Sequence, residues 1–252
     1  MHLNPDEKLI AEMKTAHSAG HAYEKYHKIG SGSYLRNMVY GANDGIVTTF
    51  AVVAGVAGAA LEMKVVLILG FANLVADGMA MALGNYLGTK SENDFKKKER
   101  GLEEWEVEHI PEEERQEIER IYKKKGFTGS DLEKIVSVIT ADKKLWVDEM
   151  MVNELGIVPG EEESPAKNGL ATFIAFSLAG LLPLLPFVFG FHLGSQFQAA
   201  IIMTGVALFM VGSLRSIFTK KNWLLAGIEM FLVGALAAAS AYGIGYLIDR
   251  VS

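Results

Sequence analysis

This 252-residue sequence predicts an all-α, polytopic membrane protein carrying a helical polar insert, and three observations predict that fold class. Half of the residues are hydrophobic and mean hydropathy is +0.21. The apolar residues gather in runs of about 20, the length a helix needs to cross a bilayer core. Charge is segregated: residues 90–163 hold 21 of the 30 acids and 13 of the 24 bases, a net −8 within a chain of net −6, while everything else sums to +2. An acidic segment set into an apolar, slightly basic remainder does not suit a nucleic-acid binder, which needs a basic face. With no cysteine, disulfides, thiolate metal sites and cysteine nucleophiles are excluded.

The elements follow in chain order. Residues 1–36 form a polar tail with Lys8, Lys14, Lys25, Lys28 and Arg36 but no apolar stretch of signal-peptide type, so the first span is expected to act as its own membrane signal. Residues 37–89 hold two spans, about 37–61 and 65–89; residues 90–163 are the insert; residues 164–252 hold three more, about 168–190, 196–218 and 223–248. Within the insert a charged run from Ser91 to His109 is broken at Pro111, a second run reaches Lys125, and Gly126 to Gly129 turns into a third region from Ser130 to Gly156, where Ser130 and Glu133 fit a capping box. Pro183 and Pro186 predict a kink in the third span. Gly84-x-x-x-Gly88 and the Gly55, Gly58 pair permit close helix approach.

Short cytoplasmic loops are enriched in Lys and Arg. Arg36, the Lys90 to Arg100 stretch, and Arg215 with Lys220 and Lys221 all fall on one side of a five-span chain, so the N-terminus and the insert are expected in the cytoplasm and the C-terminus across the membrane.

Charged groups inside a bilayer are costly, about 2.5–3.5 kcal/mol on insertion scales, so Asp44 and Asp77 call for a function. Asn73, Asp77, Met81 and Asn85 recur every four residues as one stripe, and the first span answers with Asn37, Gly41, Asp44 and Thr48. Two facing polar stripes can line a cation path, and carboxylate and amide oxygens with a thioether suit Fe(II) or Mn(II) better than Mg(II). The competing reading is that these side chains only join helices and that Met81 is packing. Glu229 either pairs with Arg215 or lines an entrance.

In the insert, Glu103 and Glu106 share a helix face, as do Glu114 and Glu117, and Pro111 can fold one helix on the other so that four carboxylates converge. Their repulsion is offset if a divalent cation binds among them. Met150, Met151 and Glu154 can add thioether and carboxylate ligands, whereas Glu104, Glu108, Glu112 and Glu113 read as a solvated surface. His17 and His21, with Glu24 and His27 nearby, form a weaker metal candidate in the tail. No Walker-type phosphate loop is present, so transport is expected to run on an ion or substrate gradient. Rival readings are a membrane metal buffer or sensor, and an intramembrane hydrolase using Asp44 and Asp77, which leaves the acidic insert unexplained.

Five ordered segments resemble the vacuolar iron transporter family of Fe(II)/Mn(II) carriers. They are Gly41-Ala-Asn-Asp-Gly-Ile-Val-Thr; Gly70-Phe-Ala-Asn-Leu-Val-Ala-Asp-Gly-Met-Ala-Met; Trp105-Glu-Val-Glu with Pro111-Glu; Trp146-Val-Asp-Glu-Met-Met before Glu154-Leu-Gly; and Leu181-Leu-Pro-Leu-Leu-Pro. The resemblance implies a homodimer of five-helix subunits, a cytoplasmic helical metal-binding domain, and a metal path between the subunits' first two helices. It also implies export of Fe(II), often also Mn(II), from the cytosol in exchange for protons, with no catalysis and no resident cofactor; Co(II) and Zn(II) are further candidate cargoes. By the same resemblance Asp44 and Met81 match the intramembrane metal positions, and Glu103, Glu106, Glu114, Glu117, Met150 and Glu154 match the insert's ligands. Asn43, Asn73, Asp77 and Asn85 are candidates for the pathway or its proton coupling. Many members carry an acid where Asn85 stands, and some carry Glu where Asn73 stands, so Asp77 is expected to take part of that role. The short chain favours a prokaryotic plasma membrane over an organellar, vacuolar one.

Overall fold

A computed structural model describes residues 7–20, 29–160, 162–190, 195–219 and 222–251. Its elements, in order, are α1 (Glu7–Ser18), α2 (Ile29–Gly58), α3 (Met63–His109), α4 (Pro111–Lys124), α5 (Gly129–Thr140), α6 (Lys143–Asn153), α7 (Pro165–Gly180), a 3-10 turn (Leu182–Leu184), α8 (Leu185–Phe189), α9 (Gln196–Thr219) and α10 (Trp223–Val251). No strand occurs among the described residues. Five stretches are long and apolar enough to cross a membrane: Tyr34–Gly58, the helix Met63–His109, Pro165–Phe189, Gln196–Ser216 and Trp223–Val251. The chain divides into two compact units, residues 1–85 with 166–252, and residues 86–165.

In the first unit, α9 and α10 pack along each other and both pack on α2. Apolar side chains fill the contacts, with Phe50, Val53, Val66, Leu74, Phe176 and Leu184 in one cluster and Ile46, Ala207 and Leu208 in another. Between helices in lipid, packing replaces the hydrophobic effect as the driving force, so small residues decide how close the backbones come. A Cβ at Gly45 would lie 2.2 Å from the Phe176 carbonyl oxygen, and one at Gly245 would lie 2.2 Å from that of Gly55. The Gly55 and Gly58 expectation is met on α10, where a Cβ at Gly58 would fall 2.3 Å from the Tyr242 oxygen. Gly84 and Gly88 differ: among the described residues a Cβ at either meets nothing within 4 Å, so they bring no described helix close.

The third span breaks where the prolines predict. Pro183 and Pro186 lack the N–H that would continue the ladder, and the chain passes through the 3-10 turn before α8 resumes. Span one ends in a Schellman arrangement, Ala60 N–H to the Ala57 oxygen at 3.2 Å and Leu61 N–H to the Val56 oxygen at 3.1 Å, with Ala60 at φ 49°. Arg215 and Glu229 pair at 2.7 Å, the ion pair that one of the two readings of Glu229 expects.

In the second unit the charged run does not begin a new helix: α3 continues unbroken to His109. Pro111 opens α4 at its first turn, where a missing N–H costs nothing, and Gly126 at φ 99° ends it. The third region is two helices rather than one. Asp142 caps α6, its carboxylate accepting from the Lys144 and Leu145 N–H groups at 2.8 and 3.1 Å. Ser130 lies inside α5, whose N-cap is Thr128 without a side-chain bond, so the expected capping box is not formed. The core of the unit is Val107, Ile118, Tyr122, Leu132, Val136, Ile139, Trp146, Val147, Met150 and Met151. The unit's end returns to α3, with Asn93 Nδ2 donating to the Glu163 carbonyl at 2.8 Å and Lys97 facing Glu162 at 3.3 Å.

Two substitutions in the membrane unit should act in opposite directions. Gly45→Ala forces α2 from α7 and is expected to destabilise by about 1–3 kcal/mol. Ala60→Gly relieves a left-handed alanine and should stabilise by about 1 kcal/mol. Thermal unfolding of the detergent-solubilised protein measures both, and a neutral Gly45→Ala would contradict the close approach.

Candidate metal centre

The acids converge because a proline-opened helix follows α3 directly. Ile110 N–H still bonds the Glu106 oxygen at 2.8 Å and Glu114 N–H bonds the Ile110 oxygen at 3.2 Å, so the chain turns over one residue between α3 and α4. Glu103, Glu106 and Glu114 then each offer a carboxylate oxygen, all within 4.8 Å of one another. Glu103 and Glu114 are 4% and 5% exposed, and the Oε2 of each is buried with no hydrogen-bond partner. A buried carboxylate without a donor costs several kcal/mol unless a proton or cation joins it.

Electrostatics carry the same message. Burial first, and then the neighbouring charges of Glu154, Glu114, Glu106 and Glu117, push the Glu103 carboxyl up to about 7. Glu114 is also pushed up to about 7, by burial and then by Glu106, Glu117 and Glu154, with Arg120 opposing weakly. Glu154 is raised by burial and by Glu117 and Glu106. The charges of Glu106 and Glu117 thus act on all three of these acids, and that of Glu154 on Glu103 and Glu114. Among the described residues, Glu117 alone of these acids has an ion-pair partner, Arg120 at 3.0 Å. Met150 is fully buried in the core at the start of the last turn of α6, and Met151 is nearly so.

The acids read as surface behave differently. Glu104 faces Arg100 at 3.1 Å, and Glu108 pairs with Lys143 and lies below its ordinary range through that hydrogen bond. Glu112 and Glu113 are exposed in the first turn of α4.

Sequence reasoning missed a second network. Tyr122 O–H donates to Glu149 Oε2 at 2.9 Å, Asn153 Nδ2 donates to the same oxygen at 2.6 Å, and Lys125 Nζ donates to Asn153 Oδ1 at 2.6 Å. Burial and the bond to Glu149 push the Tyr122 phenol up to about 12, so it remains a donor. The i, i+4 spacing of Glu149 and Asn153 was the only sequence signal for it.

In the membrane unit, Thr48 Oγ1 donates to the Asp44 carbonyl at 2.8 Å, and Asn73 Nδ2 donates to Thr48 Oγ1 at 3.4 Å, so the stripes of the first two spans meet at that level. Asp44, Asp77 and Asn43 are half-buried, and the Asn43 Oδ1 has no partner. The Asp77 charge acts on Asp44. Met81 packs on the apolar cluster of Phe50 and Phe176. The Asn85 amide donates to Thr172 Oγ1 at 2.6 Å and to the Asn168 carbonyl at 3.4 Å, tying α3 to α7. His17 is exposed on α1, and His21, Glu24 and His27 lie outside the described residues.

The fold defines an integral membrane protein of five apolar helices, and its polar unit holds a buried acid cluster with few partners. The chain belongs to the VIT family, whose model matches residues 35–246. It is similar to the vacuolar iron transporter of Toxoplasma gondii, with 40% identity over 238 residues covering 91% of this chain and 79% of that protein. Similarity extends to the vacuolar iron transporter of Plasmodium berghei, 32% identical over 96% of this chain and 93% of the relative, and to vacuolar iron transporter 1 of Oryza sativa subsp. japonica, 31% identical over 93% and 92%. The relatives are named as transporters, so the family does not point to catalysis and the hydrolase reading is set aside. Their names are vacuolar and give no support to the preference for a prokaryotic plasma membrane.

A raised carboxyl pKa means that the folded unit favours the protonated acid. That stabilisation is full below about 4.5, is lost as pH rises toward about 7, and is absent above. The metal-free protein should therefore unfold more readily at pH 8 than at pH 5.5, followed by tryptophan fluorescence. Glu114→Gln should flatten the dependence and gain on the order of 1–3 kcal/mol at pH 8; an unchanged slope would contradict the cause assigned to it.

Proposed function

We propose that this protein is a membrane carrier that moves Fe(II), and also Mn(II), out of the cytosol in exchange for protons. The observation that carries the reading is the convergence of Glu103, Glu106 and Glu114 within 4.8 Å, with two buried carboxylate oxygens that have no partner. Relatives named vacuolar iron transporters, 30–40% identical, support iron as the cargo. The excess of Lys and Arg at Arg36, Lys90 to Arg100 and Arg215 supports a cytoplasmic insert. A plasma or an organellar membrane satisfies this direction equally.

The insert is the collector. Glu103, Glu106, Glu114 and Glu117 with Glu154 supply hard oxygens, and Met150 supplies a softer sulfur; that mixture accepts Fe(II) and Mn(II), and Co(II) or Zn(II) as probes. Because Glu103 and Glu114 sit near 7, a cation arriving at neutral pH displaces protons, which couples metal capture to proton release. Asp44 and Met81 receive the ion in the membrane, and Asn43, Asn73 and Asp77 line or couple the path. Asn85 is bound to Thr172, which favours a helix-joining role over a pathway role. Gly84 and Gly88, which meet no described helix of the same chain, support pairing of two copies along α3.

Proteoliposome uptake tests this reading against a buffer or sensor that binds without transport. Wild type should accumulate Fe(II) in response to an opposing proton gradient, and Asp44→Ala should lower the rate at least about tenfold. The double variant Glu103→Gln, Glu114→Gln should raise KM more than it lowers kcat, since it weakens capture. Metal binding without uptake in wild type would make the protein a buffer. Calorimetry in buffers of different ionisation heat should show proton release on binding at pH 7, shrinking above pH 8 as the two acids lose their protons beforehand.

A further inference from the structure

Four residues outside the proposed ligand set form a closed ring between the C-terminal ends of α4 and α6. Tyr122 O–H and Asn153 Nδ2 both donate to Glu149 Oε2, at 2.9 and 2.6 Å; Lys125 Nζ donates to Asn153 Oδ1 at 2.6 Å and lies 4.4 Å from the centre of the Tyr122 ring. Asn153 Nδ2 also reaches the Glu149 carbonyl at 2.9 Å. Three of the ring residues, Tyr122, Glu149 and Asn153, have a ligand candidate in fixed helical register. On α4, Glu114, Ile118 and Tyr122 recur every four residues and are the buried face. On α6, Glu149 and Asn153 each precede by one residue Met150 and Glu154, so the two pairs are rotated by about 100° around one helix. Clamping the first pair to α4 therefore sets where the second pair points.

Glu149 is an acid one residue from a proposed ligand, and it is the side chain most easily mistaken for one. Its Oε2 is occupied by two donors, and the acids whose charges bear on Glu103 are Glu154, Glu114, Glu106 and Glu117. We infer that Tyr122 and Glu149 are the positioning pair of the metal centre: they hold Met150 and Glu154 on α6 in register with Glu114 and Glu117 on α4, while Glu149 stays off the metal. This rests on reading the acid cluster as a metal site and adds to it the source of the thioether's placement. Loosening the ring frees α6 to turn, so the Met150 sulfur and the Glu154 carboxylate shift together, while the four carboxylates on α3 and α4 are held independently and the thioether has no substitute. The consequence is one of selectivity: cations that gain from sulfur lose affinity, and hard cations lose little.

The test uses the full-length protein in detergent, titrated with Co(II) and with Mn(II), in wild type, Tyr122→Phe, Glu149→Ala and Glu149→Gln. Tyr122→Phe and Glu149→Ala should weaken Co(II) about 10- to 100-fold, the range for loss of an outer partner, and weaken Mn(II) several-fold less. Glu149→Gln keeps an acceptor oxygen for the tyrosine and should bind both metals as wild type does. X-ray absorption of the Co(II) forms should show sulfur in wild type and Glu149→Gln and its loss in Tyr122→Phe. If Glu149→Gln loses as much as Glu149→Ala while Tyr122→Phe binds normally, Glu149 is a ligand and the inference is overturned. Equal losses of Co(II) and Mn(II) with sulfur retained would also overturn it, because a merely structural role predicts that result. Should Tyr122→Phe fail to fold, the contrast between Glu149→Ala and Glu149→Gln decides. Wild type that binds neither metal removes both the metal-site reading and this one, whereas wild-type binding left unchanged in all variants removes this one alone.

Discussion

The constraint on which the second unit turns is that two carboxylates are carried into its interior without a donor to meet them. Glu103 and Glu114 are as buried as the apolar residues around them, yet each keeps an unpartnered oxygen. An isolated buried charge shifts its pKa or finds a counter-ion, and a rise to about 7 is the first of those responses. A fold that wanted only a stable core would place leucine there. The cost is local, and the unit's separate apolar cluster of Ile118, Val107, Trp146 and Val147 supplies stability to set against it.

The membrane unit faces the complementary problem, which is to bring polar side chains together where water is scarce. Glycine supplies the answer at the backbone level: at Gly45 and Gly245 the neighbouring carbonyl occupies the space a side chain would take. Close helices let short polar groups reach across, as Asn73 reaches Thr48 and Asn85 reaches Thr172. The same contacts separate roles along one stripe. Asn85 spends its donor on α7, while Asn43 and Asp77 stay half-buried near the first two spans without such a bond among those described.

The spans were legible because a bilayer imposes length and apolarity on every one of them, and the breaks at Pro111, Pro183 and Pro186 were legible because proline removes a specific donor. The unbroken α3 was not: its pattern changes from apolar to charged at Lys90, which marks a change of surroundings, and the backbone hydrogen bonds continue across it. The division of α5 from α6 was hidden for the opposite reason. Asp142 is a good N-cap, but Ser130 offered an equally good one earlier, and neither shows from spacing alone which carboxylate or hydroxyl finds an N–H. For the site, the pairs Glu103 with Glu106 and Glu114 with Glu117 were readable as helix faces, whereas burial was not. Tyr122 and Glu149 lie 27 positions apart, a distance that only the packing of α4 on α6 closes.

Net charge illustrates the difference between composition and position. Several of the insert's acids are answered locally: Glu92 by Lys96, Glu104 and Asp148 by Arg100, Glu119 by Lys123, Glu162 by Lys97. Among the described residues no ion pair reaches Glu103, Glu106 or Glu114. The acids without a counter-ion thus include two that are buried, and buried charges are the ones that salt and water screen least. Position therefore separates acids of equal formal charge: those at the surface are hydrated or paired with lysine and arginine, whereas Glu103 and Glu114 are held away from water with an oxygen that no described donor reaches.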